Sequence, residues 1–376
     1  MNDTAREMLG FIGVTAWRNA GFDGRGIKVW VTEPITGSHG ANTAAVLRDT
    51  APGCTVIGES INRTTPNQNQ ITNVNVNGEP LRDFIRREQP DILTASLHGS
   101  GRNTAWSAMM AQLQREFNFT MFNSAGNDGN SDNGVDNTIR TSLPKELCLV
   151  IGALQWSNGS PRRAGFSAAG EYLDFMQVQL WWSGTSAATP VMAGMGAMVM
   201  QRYGKMSQEE LFKYFRFNAH ELPSDNIPGH DRWYGWGHVR LPAVRRRYIT
   251  MTTNSNMYHV DGVAHTMDTR PVNRNDRVFV PVRAVAHALG IPDRDIIPTP
   301  IRNGVVNVVI RRNGVTIDLT TGNDVMFING RRVYLDVAPF IDKNNRTLVP
   351  IRAIAEAFNC QVDWVQSEAK VMILES

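Results

Sequence analysis

Four side chains in this 376-residue chain are of types that acyl transfer uses: Ser186, His39, Glu33 and Asn127. Ser186 lies in the stretch L-W-W-S-G-T-S-A-A-T-P-V-M-A-G-M-G-A, residues 180–197. There the turn Ser183-Gly184-Thr185 delivers it to the start of an Ala, Val and Met-rich helix. Pro190 is expected in the first turns of that helix, where a missing N–H costs least. Backbone N–H groups and the positive end of the helix dipole favour an anion formed beside such a serine. An imidazole, His39, lies in Ser38-His39-Gly40, at the start of a helix expected over Ala41–Arg48 with Ser38 as its cap. Glu33 ends an alternating segment, residues 26–33, that reads as a strand. The six residues from Glu33 to His39 span at most about 20 Å, ample to set a carboxylate against an imidazole. Asn127, in A-G-N-D-G after a strand over 119–124, offers an amide donor that does not titrate. Taken singly, each residue also has an ordinary reading: a helix cap, a turn asparagine, a solvated glutamate.

The elements that must position these residues alternate in type. Apolar runs at 91–97 and 147–153 read as buried parallel strands, and 81–89, 106–117 and 208–218 read as helices. Residues 62–78 are rich in Asn, Thr and Gln and read as a polar loop. Alternation of this kind predicts an α/β fold, a parallel sheet covered by helices on both faces, with catalytic groups where strand C-termini and helix N-termini converge.

G-T-S-A-A-T-P-V-M-A-G closely resembles the nucleophile motif of the subtilisin-like serine proteases. A strand-end acid before H-G, the A-G-N-D-G segment and Tyr234-Gly235-Trp236-Gly237 follow that family's order, so the resemblance covers roughly residues 10–245. It implies a subtilisin-like sheet, with Ser186 as nucleophile, His39 as base, Glu33 as orienting acid and Asn127 in the oxyanion hole. It also implies that Ser96, Leu97, His98 and Gly99 border the substrate cleft, beside an extended polypeptide. The chain departs from the family in four places. Glu33 stands where Asp is usual, the excursion to His39 is short, and His98 replaces a usual Gly. Residues 177–182, Q-V-Q-L-W-W, replace an Ala-Pro-Gly segment.

Lys and Arg number 38 against 35 Asp and Glu, so bulk charge points to no nucleic-acid partner. No run of about 18 apolar residues exists to span a membrane. The first residues, M-N-D-T-A-R-E-M-L-G-F, show no secretory signal; a cytoplasmic or virion-associated protein, or export by another route, fits that start. Cys54, Cys148 and Cys360 are scattered and odd in number, which suggests free thiols. The expected chemistry needs no cofactor. Asp128, Asn130 and Asp132 offer oxygens at alternate positions but lack EF-hand glycine and glutamate positions, so a solvated loop is expected ahead of a calcium site.

A basic run, Arg245–Arg247, leads into a segment at 248–256 read as a polar linker between a first domain, 1–247, and a second, 257–376. The second contains a repeat: R-V-F-V-P-V-R-A-V-A-H-A-L at 277–289 recurs 69 positions later as R-T-L-V-P-I-R-A-I-A-E-A-F at 346–358. Asp261-Gly262 and Asn329-Gly330 predict tight hairpins upstream of each copy. The pattern resembles the stalk-type domain related to the N-terminal domain of copper amine oxidases and predicts an α+β domain of two repeated units. Arg283 and Arg352 are expected to cap or pair within their units. No His/Cys/Met cluster accompanies the pattern, so it implies no copper, and a protein or cell-wall partner is the ligand class such a module would take. The combination suggests a bacterial or phage source. Together these features predict a serine endopeptidase; the alternative is a catalytically silent scaffold serving assembly or attachment through the repeats.

Overall fold

A computed structural model describes residues 1–67, 70–96, 104–129, 147–222 and 228–376. The chain divides into two compact units, Met1–Val244 and Arg245–Ser376.

The first unit is built on a nine-stranded sheet. Seven strands run parallel in the order Thr55–Gly58, Lys28–Val31, Ile92–Ala95, Thr120–Ser124, Leu149–Ser157, Phe175–Val178 and His238–Val239. Two short antiparallel strands, Ala219–His220 and Ser160–Arg163, complete it. The central strands are buried along their length, as the continuous apolar runs require when both faces are covered. From Lys28–Val31 the chain first moves outward to Thr55–Gly58, then returns to Ile92–Ala95 on the other side. The strand order therefore reverses between Lys28–Val31 and Ile92–Ala95, which opens a crevice at their carboxyl ends. Glu33 leaves one of these ends and Ser96 the other.

The helix Thr185–Tyr203 is buried at every residue from Thr185 to Met200, in keeping with a sequence apolar on all sides. At Gly194 a Cβ would come within 2.9 Å of the Thr50 side chain. Glycine here lets the buried helix lie directly against Ser38–Thr50, the helix that carries His39.

Three local expectations need correction. The His39 helix starts at Ser38, so Gly37 is its N-cap and Ser38 its first residue. The polar segment at 62–78 is largely sheet: Ile61–Asn67 pairs with Gln70–Val76, which pairs with Glu79–Pro80. The signal for it was Val74-Asn75-Val76 followed by Asn77-Gly78, whose φ values of 49° and 85° make the tight turn that Asn-Gly favours. Val76 is buried in a cluster with Trp30, Leu81, Phe84 and Trp106. Lastly, residues 248–252 are no linker. Tyr248–Thr252 is the middle strand of a five-stranded antiparallel sheet, with Met257–Val260 on one side and Lys370–Glu375 on the other. Its neighbours Arg245–Arg247 and Thr253-Asn254 made the segment read as polar, but Tyr248, Ile249 and Met251 are buried.

In the second unit the two repeats meet through Phe279↔Pro350, Val280↔Val349 and Pro281↔Leu348. Val349 is the copy of Val280, so this register is symmetric about the pair, and the repeats are related by an approximate two-fold axis. Both hairpins form as expected, with Asp261, Gly262, Asn329 and Gly330 all at positive φ. Ion pairs cross between repeats in the same symmetric way: Arg277 reaches Asp336 at 2.6 Å, and its copy Arg346 reaches Asp268. Two clefts of about 490 and 370 Å³ also occupy repeat-related positions, one bordered by Pro281, Arg283 and Arg346, the other by Pro350, Arg352 and Arg277.

Candidate active site

Glu33 follows the strand Lys28–Val31, whose pairing is extended by the Thr32 N–H donating to the Thr94 carbonyl at 3.2 Å. The chain then turns through Pro34–Gly37, closed by the Gly37 N–H on the Pro34 carbonyl. Gly40 makes this turn compact, since a Cβ there would lie 2.3 Å from the Pro34 oxygen. The result sets Glu33 Oε2 2.5 Å from His39 Nδ1. Glu33 is only 5% exposed, and its other oxygen, Oε1, is buried without a partner among the described residues. Toward a carboxylate, which only accepts hydrogen bonds when ionised, Nδ1 is the donor, and in the neutral imidazole tautomer that donates from Nδ1 the acceptor is Nε2. Trp182 packs edge-on to this imidazole, with ring centroids 4.8 Å apart at 75°.

Ser186 is the second residue of its helix and 7% exposed. Its N–H is one of the first four of the helix, which have no intrahelical partner. Its Oγ donates to the Ser96 carbonyl at 3.1 Å, while Ser96 Oγ donates to the Ser186 carbonyl at 3.2 Å. The hydroxyl is thus held on the strand end and not on the imidazole. Pro190, expected in the first turns, is the sixth helical residue, so its missing N–H does remove a helix hydrogen bond.

Asn127 is oriented by its oxygen. Oδ1 accepts from the Thr185 N–H at 3.0 Å and from Thr185 Oγ1 at 3.1 Å, and Thr185 Oγ1 in turn accepts the Gly126 N–H. A backbone N–H is always a donor, so the amide atom facing it is the oxygen, and Nδ2 remains as the available donor beside Gly184. The segment that departs from the family pattern is held by Gln179, whose Oε1 accepts the Gly184 N–H at 2.8 Å, and by Trp181, whose indole N–H donates to Asp49.

The structure therefore brings Glu33 to His39, Ser96 to Ser186, and Asn127 to the residue before Ser186. Leu97, His98 and Gly99 lie outside the described residues, as do Asn130 and Asp132; Asp128 is exposed. Sequence reasoning missed the contacts of Thr185, Trp182 and the Ser96 side chain. Only Trp182 carried a signal, as an aromatic four residues before Ser186.

Residues 35–237, more than half of the chain, match the family described as Subtilase family. The chain belongs to the subtilase family. Residues 238–292 and 305–373 match the copper amine oxidase N-terminal domain. Of the histidines in that part, His265 stacks on Tyr258 and His287 pairs with Asp293 at 3.1 Å. Among the described residues no three His, Cys, Asp or Glu converge as metal ligands. The subtilase part is similar to Subtilisin amylosacchariticus of Bacillus subtilis subsp. amylosacchariticus, 26% identical over 165 residues, 41% of this chain and 40% of that protein. An extracellular serine protease of Serratia marcescens is 34% identical over 83 residues, 21% of this chain and 8% of that one. This subtilase thus spans less than half the length of the curated relatives it matches. Among solved structures, fervidolysin from Fervidobacterium pennivorans aligns over 70% of this chain and 54% of its own at 17% identity, with a TM-score of 0.47. A lanthipeptide protease aligns over 64% and 94% at 16% identity and a TM-score of 0.45.

Elsewhere in the subtilase unit, His238 is buried between the His220 carbonyl, which accepts from Nδ1, and Arg240, whose Nε donates to Nε2. Burial, then the Arg240 charge, pushes its pKa down to about 3. It is a neutral structural histidine.

Proposed function

We propose that this subtilase is a serine endopeptidase that hydrolyses peptide bonds through Ser186, His39 and Glu33, with Asn127 in the oxyanion hole. The observation that carries the reading is the 2.5 Å contact between His39 Nδ1 and a buried carboxylate, which leaves Nε2 as a directed base. Ser186 Oγ turns from the Ser96 carbonyl to His39 Nε2, gives up its proton and attacks the scissile carbonyl carbon. The oxygen that becomes negative is received by Asn127 Nδ2 and the Ser186 N–H. His39 passes the proton to the leaving amine as the C–N bond breaks. Water then repeats the sequence on the acyl-enzyme and releases the acid. Glu33 holds the tautomer and stabilises the imidazolium. Side chains and backbone supply every group in this scheme.

The substrate is an extended polypeptide lying beside Ser96, and the tandem repeats take a protein or cell-wall partner. Incubation with an unstructured polypeptide tests the enzymatic reading: the parent should cleave it and Ser186→Ala should not. The scaffold reading is favoured by one observation, the Ser186 hydroxyl held on Ser96 rather than on His39. Equal, negligible cleavage by parent and variant, both folded, would make the scaffold reading the better one.

A further inference from the structure

The contact between Ser96 and Ser186 goes beyond lining a cleft. In an α-helix the N–H of residue 190 would donate to the carbonyl of residue 186. Pro190 has no N–H, and its ring crowds that carbonyl. The Ser186 carbonyl is therefore left without its helix partner in a region where Thr185, Ala187 and Ala188 are fully buried. A buried carbonyl without a donor is costly. The donor present is Ser96 Oγ, 3.2 Å away on a side chain that is itself buried. One residue earlier, the Thr185 carbonyl has a donor within its own helix, Thr189 Oγ1 at 2.8 Å.

We propose that Ser96 is a positioning residue for the nucleophile: its hydroxyl replaces the helix hydrogen bond that Pro190 removes, and so fixes the peptide plane from which the Ser186 side chain projects. The inference rests on the serine protease reading for its catalytic consequence, but not for the contact itself. Ser96 touches Ser186 twice, since its carbonyl also accepts the Ser186 hydroxyl. The nucleophile is thereby anchored at both its carbonyl and its Oγ to the end of the strand Ile92–Ala95, beside the crevice. Only the first of these contacts depends on the Ser96 side chain, so the two can be separated by substitution.

The prediction is a specific coupling. Ser96→Ala leaves the Ser186 carbonyl bare and should lower the maximal rate of Ser186 labelling by a fluorophosphonate roughly tenfold, with the half-saturating probe concentration unchanged. Pro190→Ala supplies a helical N–H to the same carbonyl, so in that background Ser96→Ala should cost less than about twofold. Hydrogen exchange over the first turns of the helix gives a readout independent of activity. Exchange should rise in Ser96→Ala and return to the parent level in the double variant. A tenfold loss that persists undiminished with Pro190→Ala, or an effect on half-saturation alone, would overturn the proposal. Labelling absent from the folded parent, with the exchange pattern as described, would instead overturn the protease reading and leave the role of Ser96 standing.

Discussion

At the scale of single residues, the proposed triad turns on a glutamate in the place where a shorter acid is usual. Glu33 reaches Nδ1 at 2.5 Å because the turn through Pro34–Gly37 and the absence of a Cβ at Gly40 set the two backbones at a distance that suits the extra methylene. Shortening the side chain should therefore damage the site although aspartate is the usual residue. Glu33→Asp is expected to slow fluorophosphonate labelling about 10–100-fold. Glu33→Gln, which keeps the shape but loses the charge and can stabilise the wrong tautomer, should slow it about 10³–10⁴-fold. Labelling rates of the two variants and the parent check this, and an Asp variant as fast as the parent would mean that the carboxylate does not orient His39. His238 makes a separate prediction at this scale. Its pKa is depressed to about 3, so the unfolded chain binds a proton that the native state refuses. Its contribution is complete above the unfolded value near 6.5 and is lost as pH falls from there toward 3. His238→Asn, which retains a donor toward the His220 carbonyl, should flatten the fall in stability across that window in denaturant titrations. An unchanged slope would place the acid sensitivity elsewhere.

At the scale of elements, legibility followed local pattern strength. The buried parallel strands were readable because a short, unbroken apolar run bounded by turn residues has to be covered on both faces. Ser186, His39 and Asn127 could be singled out in the sequence because each lies at or just beyond a strand end or at a helix start. What could not be read were relations between elements. Nothing local to Ser96 says that its hydroxyl serves a carbonyl 90 positions away, and nothing near Pro190 says which donor replaces its N–H. The hairpin at 61–76 was obscured because polar residues fill its alternation, leaving Val74 and Val76 as the apolar trace. The close pairing of the two helices was likewise not readable, because it shows only in space: a Cβ at Gly194 would lie 2.9 Å from the Thr50 side chain. Gly194→Ala should force them apart, at a cost of about 1–3 kcal/mol in urea unfolding. No loss of stability would show that the helices yield freely there.

At the scale of the whole molecule, the two units have separate cores. The second is organised around a cluster running from Ile249 to Ile373, with Val280, Val308, Val349 and Ile373 buried within it. The 69-residue repeat was legible in sequence, and its symmetric pairing explains why two copies occur together: each supplies the strand and the arginine that the other's half requires. The boundary was not legible, because a short strand beside a basic run and an Asn-rich turn reads as polar. A fragment of residues 245–376 should therefore unfold cooperatively on heating. A fragment of residues 257–376 lacks the middle strand Tyr248–Thr252 and should not. Equal cooperativity in the two would show that this strand is dispensable to the unit.

The most direct test of the catalytic account is the intact mass of the parent and of Ser186→Ala after exposure to a fluorophosphonate. The account predicts one adduct on the parent and none on the variant, because a serine that no base can activate does not react this way. A folded parent that takes up no adduct, or a variant labelled to the same extent, would contradict it.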